Sequence, residues 1–466
     1  MIRMTLDEIA AITNGRLVNA DPAAVVTGPV EYDSRNVVPG GLFVAFEGEK
    51  VDGHEFAAAA VAAGAAGVLG TRETGQPGVV VEDPLLALAR LARVVVGRLP
   101  ELTVVGLTGS SGKTTTKDYI GQLLARLGPT VAPAGSLNNE LGHPYTVLKA
   151  TADTRFLVLE MGARGIGHIR RLVEVAPPRI GVVLNVGAAH IGEFGSVEGT
   201  AQAKGELVEA LPPAGVAILN ADDALVAAMA DRTEARVVLV GESPDAAVRA
   251  VDVTLDDRGR ASYTLVTAGG SARVRLAVTG RHQVGNTLAA AAVALELGMP
   301  VRDVAAALGT VGGVSGRRMD VFDRPDGVTV IDDSYNANPS STAAALRALV
   351  ALGRGRRTIA VLGYMAELGE FETAGHEEVG RLAAELGVDR LIAVAQNAAP
   401  ILDGARRVES WPGQAILAAD QAAAIGALED LRPGDVVLVK GSRYRTWEVA
   451  DALRTGAPPA AEEVRP

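Results

Sequence analysis

The sequence of 466 residues contains no cysteine. Disulfide bonds, iron–sulfur clusters and thiol catalysis are therefore excluded, and the absence fits a reducing compartment. Basic residues are also in deficit, because 44 Lys and Arg stand against 55 Asp and Glu, which gives a formal net charge of −11. General nucleic-acid binding needs a basic surface to neutralise phosphates, and this composition argues against it. A small anionic substrate remains compatible with a local basic pocket.

A targeting segment and a long apolar run are also missing. Asp7 and Glu8 stand where a signal peptide would need its apolar stretch. The best membrane candidate, residues 56–70, is uncharged but shorter than the ~20 residues that a spanning helix needs. We interpret it as a buried helix followed by a strand. The sequence therefore predicts a cytoplasmic protein without membrane insertion.

Short apolar runs alternate with alanine-rich helical runs over most of the chain. Continuous apolar runs are typical of strands covered on both faces, and their alternation with helices predicts parallel α/β sheets. Residues 250–278 differ, because alternating polarity and a turn at 256–259 indicate a local antiparallel excursion. The predicted strands are residues 78–81, 103–107, 156–159, 180–185, 328–331, 358–362, 391–394 and 435–439.

The length suggests about three domains at roughly 150 residues each. One boundary is expected before Asp83 and Pro84, where a new helix begins. A second is expected at the glycine-rich residues 312–316, before a new β run. The tail 456–466 is rich in Pro, Ala and Glu and is predicted to be disordered.

The strongest local pattern is Thr-Gly-Ser-Ser-Gly-Lys-Thr-Thr at residues 108–115, between a buried β run and a helix. Backbone N–H groups of such a loop hold phosphate oxygens at a helix N-terminus. Lys113 is expected to reach the β and γ phosphates, and Thr114 to place its hydroxyl on Mg²⁺. Leu107 stands where the general motif has its first glycine, so the match to that motif is imperfect. The loop alone does not choose between an ATPase, a kinase and a ligase.

Three residues downstream of the loop are candidates for metal chemistry. Glu160 ends an apolar run and is expected to hold Mg²⁺ directly or through water, with a solvated strand-end carboxylate as the alternative. His190 follows another run, and a lone loop histidine is either a metal ligand or functionally neutral. Lys204, in Ala-Lys-Gly-Glu, is by itself interpreted as a surface charge.

Two polar turns follow strands in the last third of the chain. Asp-Asp-Ser-Tyr-Asn-Ala-Asn-Pro at residues 332–339 suits contacts to a ribose or base, and it suits a plain helix cap equally well. Lys-Gly-Ser-Arg at residues 440–443 could bind a carboxylate or pyrophosphate, which is a weak signal alone.

Taken together, these motifs resemble the Mur ligase family of peptidoglycan synthesis. The family has the shorter loop Thr-Gly-x-x-Gly-Lys-Thr, which accounts for Leu107. Within the family the chain is most similar to the members that join D-Ala-D-Ala to UDP-N-acetylmuramoyl-tripeptide. The Asp-Asn-Pro-Arg motif of the diaminopimelate-adding members is absent. The motifs that carry the resemblance lie at residues 33–35, 108–115, 185–190, 203–206, 280–286, 333–339, 365–369 and 440–443.

The resemblance implies an α/β fold with three domains. These are a UDP-substrate domain (1–82), a central P-loop parallel-sheet domain (83–314) and a C-terminal Rossmann-like domain (315–466). The third domain would have to swing towards the phosphate loop for its residues to meet ATP. The implied ATP-binding residues are Gly109, Ser110, Ser111, Gly112, Lys113, Thr114, Thr115, Asn286, Arg317, Asp333, Tyr335 and Asn336. The implied substrate residues are Ser34, Arg35, Asn138, Asn139, Lys440 and Arg443.

The chemistry implied by the resemblance is ATP-dependent amide-bond formation through an acyl phosphate. Thr114 and Glu160 would hold one Mg²⁺, and His190 and Lys204 a second, with Lys204 carbamylated to give an anionic oxygen ligand. The implied catalytic residues are Lys113, Lys204, His190, Glu160 and Arg317. The expected partners are the UDP-linked tripeptide and D-Ala-D-Ala, and a monomer is expected.

The sequence departs from the family pattern at three places, and two alternative functions remain open. Gln283 stands where such sequences commonly have Asn, Tyr364 replaces a common Asp, and residues 312–316 replace a proline-bearing stretch. An alternative function is another amide ligase of the superfamily, similar to diaminopimelate-adding enzymes or to folylpolyglutamate synthase. A second alternative is a regulatory ATPase that releases phosphate without any acceptor amine. The third peptide residue, diaminopimelate or lysine, is left open.

Overall fold

The computed structural model describes residues 1–187, 194–442 and 445–456. The predictions made for His190, Arg443 and most of the tail lie outside these described residues. Within them the protein is an α/β structure built on four sheets. The three largest sheets lie one after another along the chain, in the order of the three predicted domains.

The N-terminal region forms a five-stranded sheet of order β2-β7-β6-β5-β4 and a small antiparallel pair, β1-β3. Strands β4 to β7 pair in parallel, and β2 closes one edge in antiparallel pairing. The strands are β1 Met4–Thr5, β2 Arg16–Val18, β3 Val25–Val26, β4 Val30–Glu31, β5 Leu42–Val44, β6 Gly67–Gly70 and β7 Gly78–Val80. The helices are α1 Leu6–Thr13 and α2 Ala57–Ala62.

The central region forms a nine-stranded sheet of order β16-β15-β14-β13-β12-β11-β8-β10-β9. Its strands are β8 Thr103–Thr108, β9 Thr130–Val131, β10 Phe156–Glu160, β11 Ile180–Val183, β12 Val216–Asn220, β13 Arg236–Gly241, β14 Val248–Leu255, β15 Arg260–Thr267 and β16 Gly270–Thr279. Its helices are α3 Pro84–Gly97, α4 Lys113–Leu124, α5 Gly142–Val147, α6 His168–Val175, α7 Val197–Glu209, α8 Ala224–Ala227, α9 Gln283–Glu296 and α10 Val301–Leu308. Strands β8 to β14 pair in parallel, whereas β14-β15-β16 form an antiparallel meander, as predicted for residues 250–278.

The C-terminal region forms a six-stranded sheet of order β17-β18-β22-β19-β20-β21. Its strands are β17 Asp320–Asp323, β18 Thr329–Asp333, β19 Thr358–Gly363, β20 Arg390–Val394, β21 Gln414–Ala418 and β22 Val436–Lys440. Its helices are α11 Pro339–Leu352, α12 Glu372–Glu385, α13 Ala399–Arg406, α14 Gln421–Gly426 and α15 Trp447–Thr455. All pairs are parallel except β17-β18, so this sheet has the doubly wound form expected of a Rossmann-like domain.

The local sequence explains where key helices begin. Asp83 caps α3 by accepting hydrogen bonds from the N–H groups of Leu85 and Leu86, and Pro84 occupies the first turn, where it needs no donor. Asn338 and Pro339 begin α11 in the same way. The uncharged stretch 56–70 contains α2 and β6, as predicted from the sequence.

The N-terminal and central regions share one apolar cluster. Leu6 and Ile9 of α1 belong to it together with Leu88 and Leu91 of α3, and all four are fully buried. No helix among the described residues is long and apolar enough to cross a membrane. The borders proposed at residues 82 and 314 stay predictions.

Helices α12 and α13 pack so closely that they generate a stability prediction. A Cβ at Gly380 would lie 1.6 Å from the carbonyl oxygen of Ile401. We expect Gly380→Ala to lower the free energy of unfolding by about 3 kcal/mol, because backbone atoms cannot yield. Urea unfolding followed by circular dichroism measures this change.

Gly426→Ala in α14 is the control, since nothing lies within 4 Å of the added Cβ. It should be neutral or stabilising by up to about 1 kcal/mol, and equal effects of the two substitutions would contradict the argument.

Candidate active site

The loop between β8 and α4 has a backbone that only glycine tolerates at one point. Gly112 caps α4 with a φ of +78°, in the left-handed region. A Cβ at Gly112 would also lie 2.5 Å from the side-chain oxygen of Asn286. Asn286 in turn donates a hydrogen bond to Gln283 Oε1 (2.9 Å), which also accepts one from the hydroxyl of Tyr119 (3.1 Å). A buried polar layer therefore supports the loop from the side of α9.

Residues after β11 brace the other side of the loop. The side chain of Asn185 accepts from the N–H of Ser111 (2.9 Å) and donates to its carbonyl (3.2 Å). The Ser110 hydroxyl accepts from the N–H of Gly187 (2.8 Å) and donates to its carbonyl (3.2 Å). The phosphate loop is therefore fixed in shape by its neighbours.

The side chain of Lys113, the first residue of α4, lies back across the loop. Its Nζ donates to the carbonyl of Gly109 at 2.7 Å. Burial lowers the pKa of the Lys113 ammonium, and Arg318 lowers it further, whereas Glu160 acts in the opposite direction. An anion bound in the loop would offset this unfavourable burial of positive charge.

Glu160, the last residue of β10, is 3% exposed, and both oxygens of its carboxylate accept hydrogen bonds. Its Oε2 accepts a hydrogen bond from the Thr114 hydroxyl at 2.7 Å. Its Oε1 accepts from Ser136 Oγ (2.8 Å) and from Asn138 Nδ2 (2.7 Å). A hydroxyl and a carboxylate oxygen side by side are hard ligands of the kind that Mg²⁺ prefers. The described residues contain no group of three or more His, Asp or Glu side chains that would make a complete metal cage.

Lys204 lies in the middle of α7 and is 2% exposed. Burial lowers the pKa of its amine well below the usual value, and the nearby charge of Lys113 acts in the same direction. Gly205 leaves room for the Arg232 guanidinium, which donates to the carbonyls of Ala201 (3.1 Å) and Gln202 (2.9 Å) on the same helix. Lys204 is therefore not a surface charge.

The C-terminal domain closes the site from the opposite side. A cavity of about 490 Å³ is lined by the phosphate loop and by residues that follow β18. The Arg318 guanidinium lies over the ring of Tyr335, 4.1 Å from its centroid, and both residues line the cavity. His282, also on the lining, has a pKa lowered chiefly by burial, with opposing effects of the nearby Asp333 and Lys440. Asp333 and Asn336 thus already face the phosphate loop in this structure.

The structure sorts the predicted residues into those on the cavity and those away from it. The predicted residues on its lining are Ser110, Ser111, Gly112, Lys113, Thr114, Thr115, Asn138, Glu160, Asn286, Asp333, Tyr335, Asn336 and Lys440. Among described residues, those that do not line it are Ser34, Arg35, Gly109, Asn139, Lys204 and Arg317. His190 and Arg443 lie outside the described residues.

Arg317 is held on α15 and does not face the phosphate loop. Its backbone has a φ of +59°, and its guanidinium pairs with Asp451 (2.9 Å) and donates to the carbonyl of Trp447 (3.3 Å). The next residue, Arg318, is the arginine that lines the cavity. An approach of Arg317 to the phosphates would therefore require the Asp451 pair to open.

The predicted substrate residues have internal partners as well. Arg35 forms an ion pair with Asp33 (2.6 Å) in a turn of the N-terminal domain, and its hydrogen bonds lower the pKa of that carboxyl to about 2. Asn139 Oδ1 accepts from the N–H of Gly142 at the start of α5 (2.8 Å). Lys440 is 2% exposed and donates to Asp333 and to the carbonyl of Asn336 (2.9 Å).

Comparison with known proteins identifies the family. Residues 29–102 match the family described as "Mur ligase family, catalytic domain", residues 107–294 match "Mur ligase middle domain", and residues 317–443 match "Mur ligase, glutamate ligase domain". A Mycobacterium tuberculosis (strain CDC 1551 / Oshkosh) protein named UDP-N-acetylmuramoyl-tripeptide--D-alanyl-D-alanine ligase is 49% identical, over 97% of this chain and 98% of its own length. The chain belongs to the Mur ligase family.

Solved Mur ligase structures share the fold over nearly the whole chain. The crystal structure I of MurF from Acinetobacter baumannii has a TM-score of 0.86 at 33% identity, over 97% of this chain and 99% of that one. The MurF ligase from Thermotoga maritima in complex with ADP has a TM-score of 0.79 at 29% identity, over 93% of this chain and 99% of that one. The three-domain Mur ligase architecture expected from the sequence is confirmed.

Three residues of this Mur ligase site were not predicted from the sequence. Ser136 donates to Glu160, and Asn185 contacts Ser111 of the phosphate loop. Each residue lies far along the chain from its partner, so no local sequence pattern indicates these contacts. Arg318 stands beside Arg317 in Gly-Arg-Arg, so the sequence pointed to the correct pair. Arg317 has a left-handed backbone and pairs with Asp451, while Arg318 lines the cavity, and no local pattern distinguishes the two.

The buried pair of Lys440 and Asp333 generates a prediction. The side chains are 2% and 15% exposed, so Lys440→Ala would leave a carboxylate without its partner in a poorly solvated place. We expect a loss of about 3–5 kcal/mol in the free energy of unfolding, measured by urea titration. The double variant Lys440→Met/Asp333→Asn, which removes both charges, should lose much less. A loss below about 1 kcal/mol in the single variant, as for an exposed pair, would contradict this role.

Proposed function

We propose that this Mur ligase joins D-Ala-D-Ala to UDP-N-acetylmuramoyl-tripeptide with cleavage of ATP to ADP and phosphate. The observation that carries the proposal is the full-length, 49% identical match to a ligase of that name. The cavity supports it, because it combines a phosphate loop with polar residues of the C-terminal domain. The reaction is a step in peptidoglycan precursor synthesis, and we infer a cytoplasmic location and a monomer.

In this proposal, ATP would lie in the cavity with its phosphates on residues 109–115 and its nucleoside towards the C-terminal domain. The N–H groups of the loop and the Lys113 ammonium would hold the phosphate oxygens. Asp333, Tyr335 and Asn336 would contact the ribose and base, and Asn286 the adenine. A second cavity of about 330 Å³ adjoins the first and shares Thr115, Gln283, Arg318 and Met319 with it.

Two Mg²⁺ sites are part of the proposal. Thr114 and Glu160 would hold the first ion, which fits the two adjacent oxygen donors observed there. His190 and Lys204 would hold the second, with Lys204 carbamylated. Only a neutral amine reacts with CO₂, and the lowered pKa of Lys204 favours that form. Bound Mg²⁺ would neutralise phosphate charge and orient the transferred phosphoryl group.

The proposed reaction has two chemical steps, phosphoryl transfer and amide formation. An oxygen of the tripeptide carboxylate attacks the γ-phosphorus of ATP, the bond to the β-phosphate oxygen breaks, and an acyl phosphate and ADP result. The neutral amine of D-Ala-D-Ala then attacks the acyl carbon, the bond from this carbon to the phosphate oxygen breaks, and the proton lost by the amine ends on the inorganic phosphate as the amide forms. Lys113 and the loop N–H groups stabilise the negative charge that shifts to the leaving oxygens in the first step.

The remaining predicted residues would contact the UDP-linked substrate and the dipeptide. Ser34 and Arg35 would contact the UDP end of the substrate, and Asn138 and Asn139 would lie near the sugar or peptide. Lys440 and Arg443 would lie near the incoming dipeptide, although Lys440 would act there together with its partner Asp333. Arg317 would reach the ATP phosphates only after the C-terminal domain moves and its pair with Asp451 opens.

Phosphate release with two substrates tests the proposed reaction. With ATP and Mg²⁺, release should require both UDP-N-acetylmuramoyl-tripeptide and D-Ala-D-Ala, and mass spectrometry should show the UDP-linked pentapeptide. Lys113→Ala should fold normally and release no phosphate above background, because the charge on the leaving oxygens lacks its cation. Release that responds to a single amino acid would indicate a sister ligase, and release indifferent to both substrates would indicate a regulatory ATPase.

Chemical rescue tests the modification of Lys204. Lys204→Ala should lose at least about 100-fold in activity, more than loss of an outer partner typically costs, and short carboxylic acids such as formate should partly restore it. Lys204→Arg is the control, because it keeps a cation but cannot form the carbamate.

With ¹³C-bicarbonate, the unaltered protein should show a carbamate signal by NMR. The signal should weaken as the pH falls through the lowered pKa of Lys204, because the protonated amine does not react. Full activity of Lys204→Ala would remove this residue from the site.

A further inference from the structure

The segment that joins the central and C-terminal sheets is fastened to α4 at two points. Gln122 Oε1 accepts a hydrogen bond from the N–H of Gly312 (3.2 Å), and its Nε2 donates to the carbonyl of the same residue (3.0 Å). Asp118 Oδ2 accepts from the N–H of Ser315 (2.9 Å). We call residues 311–316 the hinge segment. It is held by the helix that begins at the phosphate loop.

A buried ion pair supports the second of these points. The side chains of Lys117 and Asp118 are each 3% exposed, and Lys117 Nζ lies 2.8 Å from Asp118 Oδ1. Lys117 also donates to the carbonyl of Pro133. A buried charge that loses its partner is costly, so Asp118 is held in one position. The pair thereby joins the hinge segment to the loop that follows β9.

The side chain of Ser315 completes a connection to Glu160. Its hydroxyl oxygen accepts from the N–H of Gly135 at 2.9 Å, and Ser315 is buried. Gly135 has a φ of +82°, and the next residue, Ser136, donates to Glu160 Oε1. Asn138 donates to the same oxygen and to Ser136 Oγ (2.9 Å). One hydroxyl of the hinge segment thus contacts the loop that fixes one oxygen of the carboxylate.

We propose that Ser315 is a positioning residue that sets the orientation of the Glu160 carboxylate through Gly135 and Ser136. Without the Ser315 hydroxyl, the N–H of Gly135 loses its acceptor, and Ser136 is fixed only by its contacts with Glu160 and Asn138. The position of Oε1 is then less restricted, so Oε2 is held less firmly beside Thr114. The proposal rests on the proposed function only in taking Glu160 as an Mg²⁺ ligand.

Through the contacts from Ser315 to Glu160, the orientation of the Glu160 carboxylate would also depend on the position of the C-terminal domain. Arg318, three residues beyond Ser315, lines the cavity close to Lys113. A movement of the C-terminal domain pulls on the hinge segment at Ser315, and hence on the loop around Ser136. The geometry of the first Mg²⁺ site therefore depends on the domain arrangement as well as on the central sheet.

The positioning role of Ser315 can be tested by measuring metal binding separately from enzymatic turnover. We would titrate Mn²⁺, which substitutes for Mg²⁺ at oxygen sites, into the full-length protein with a non-hydrolysable ATP analogue, and follow free Mn²⁺ by EPR. Ser315→Ala should weaken Mn²⁺ binding by up to about tenfold, because it acts through Ser136, and loss of such a direct partner of a metal ligand costs about that much. Ser136→Ala should act in the same direction, and combining the two should add little, because both act on one contact. Ser315→Thr, which keeps the hydroxyl, should bind Mn²⁺ nearly as tightly as the unaltered protein.

Gln122→Ala is the matched control. It removes the other attachment of the hinge segment but touches neither Gly135 nor Ser136, so Mn²⁺ binding should be unchanged. Melting temperatures show whether a variant has merely lost stability. Unchanged Mn²⁺ affinity in Ser315→Ala would overturn the proposal, as would equal weakening in Gln122→Ala. If the unaltered protein binds Mn²⁺ but does not ligate D-Ala-D-Ala, the proposed function fails while the comparison between variants stands.

Discussion

The parallel register of three adjacent strands is the constraint on which the site depends. In β10, Glu160 pairs with Leu107 of β8, and in β11, Val183 pairs with Thr108. The three strands therefore end at the same level and at the same edge of the sheet. The phosphate loop, the carboxylate and the bracing residue Asn185 all emerge there, which is where open parallel sheets bind ligands. A shift of one residue in β10 would turn Glu160 to the other face of the sheet.

This edge gathers positive charge in a protein of net charge −11. Burial is the largest cause of the lowered pKa values of Lys113 and Lys204. The charge of Arg318 lowers the pKa of Lys113 further, and the charge of Lys113 lowers that of Lys204. At Lys113 the attraction of Glu160 outweighs the effect of Arg318. A bound polyphosphate would add further negative charge beside these buried cations. The overall charge argues against general nucleic-acid binding but says little about such a pocket.

The sequence predicted the parts of the site that are local in the chain. The loop at residues 108–115 and the strand-end Glu160 depend on short patterns, because glycine, lysine and apolar runs act on their own backbone. Contacts between distant segments were not predicted. Asn185 reaches Ser111, and Ser136 reaches Glu160, only because the sheet order places their loops side by side. Lys440 was interpreted as part of a basic turn that could bind a carboxylate or pyrophosphate, and its pairing with Asp333 follows from the parallel register of β18 and β22.

Helix α4 is the element in which these separate constraints meet. Lys113 and Thr114 begin it, in contact with Gly109 and Glu160, while Asp118 and Gln122, one and two turns further on, hold the hinge segment. The backbone hydrogen bonds of a helix keep its length nearly fixed, so a displacement of the first turn is passed along it. In the proposed function, a nucleotide bound at the first turn would therefore act on the attachment of the C-terminal domain. Nucleotide binding would then be linked to the placement of the domain that bears Asp333 and Arg318.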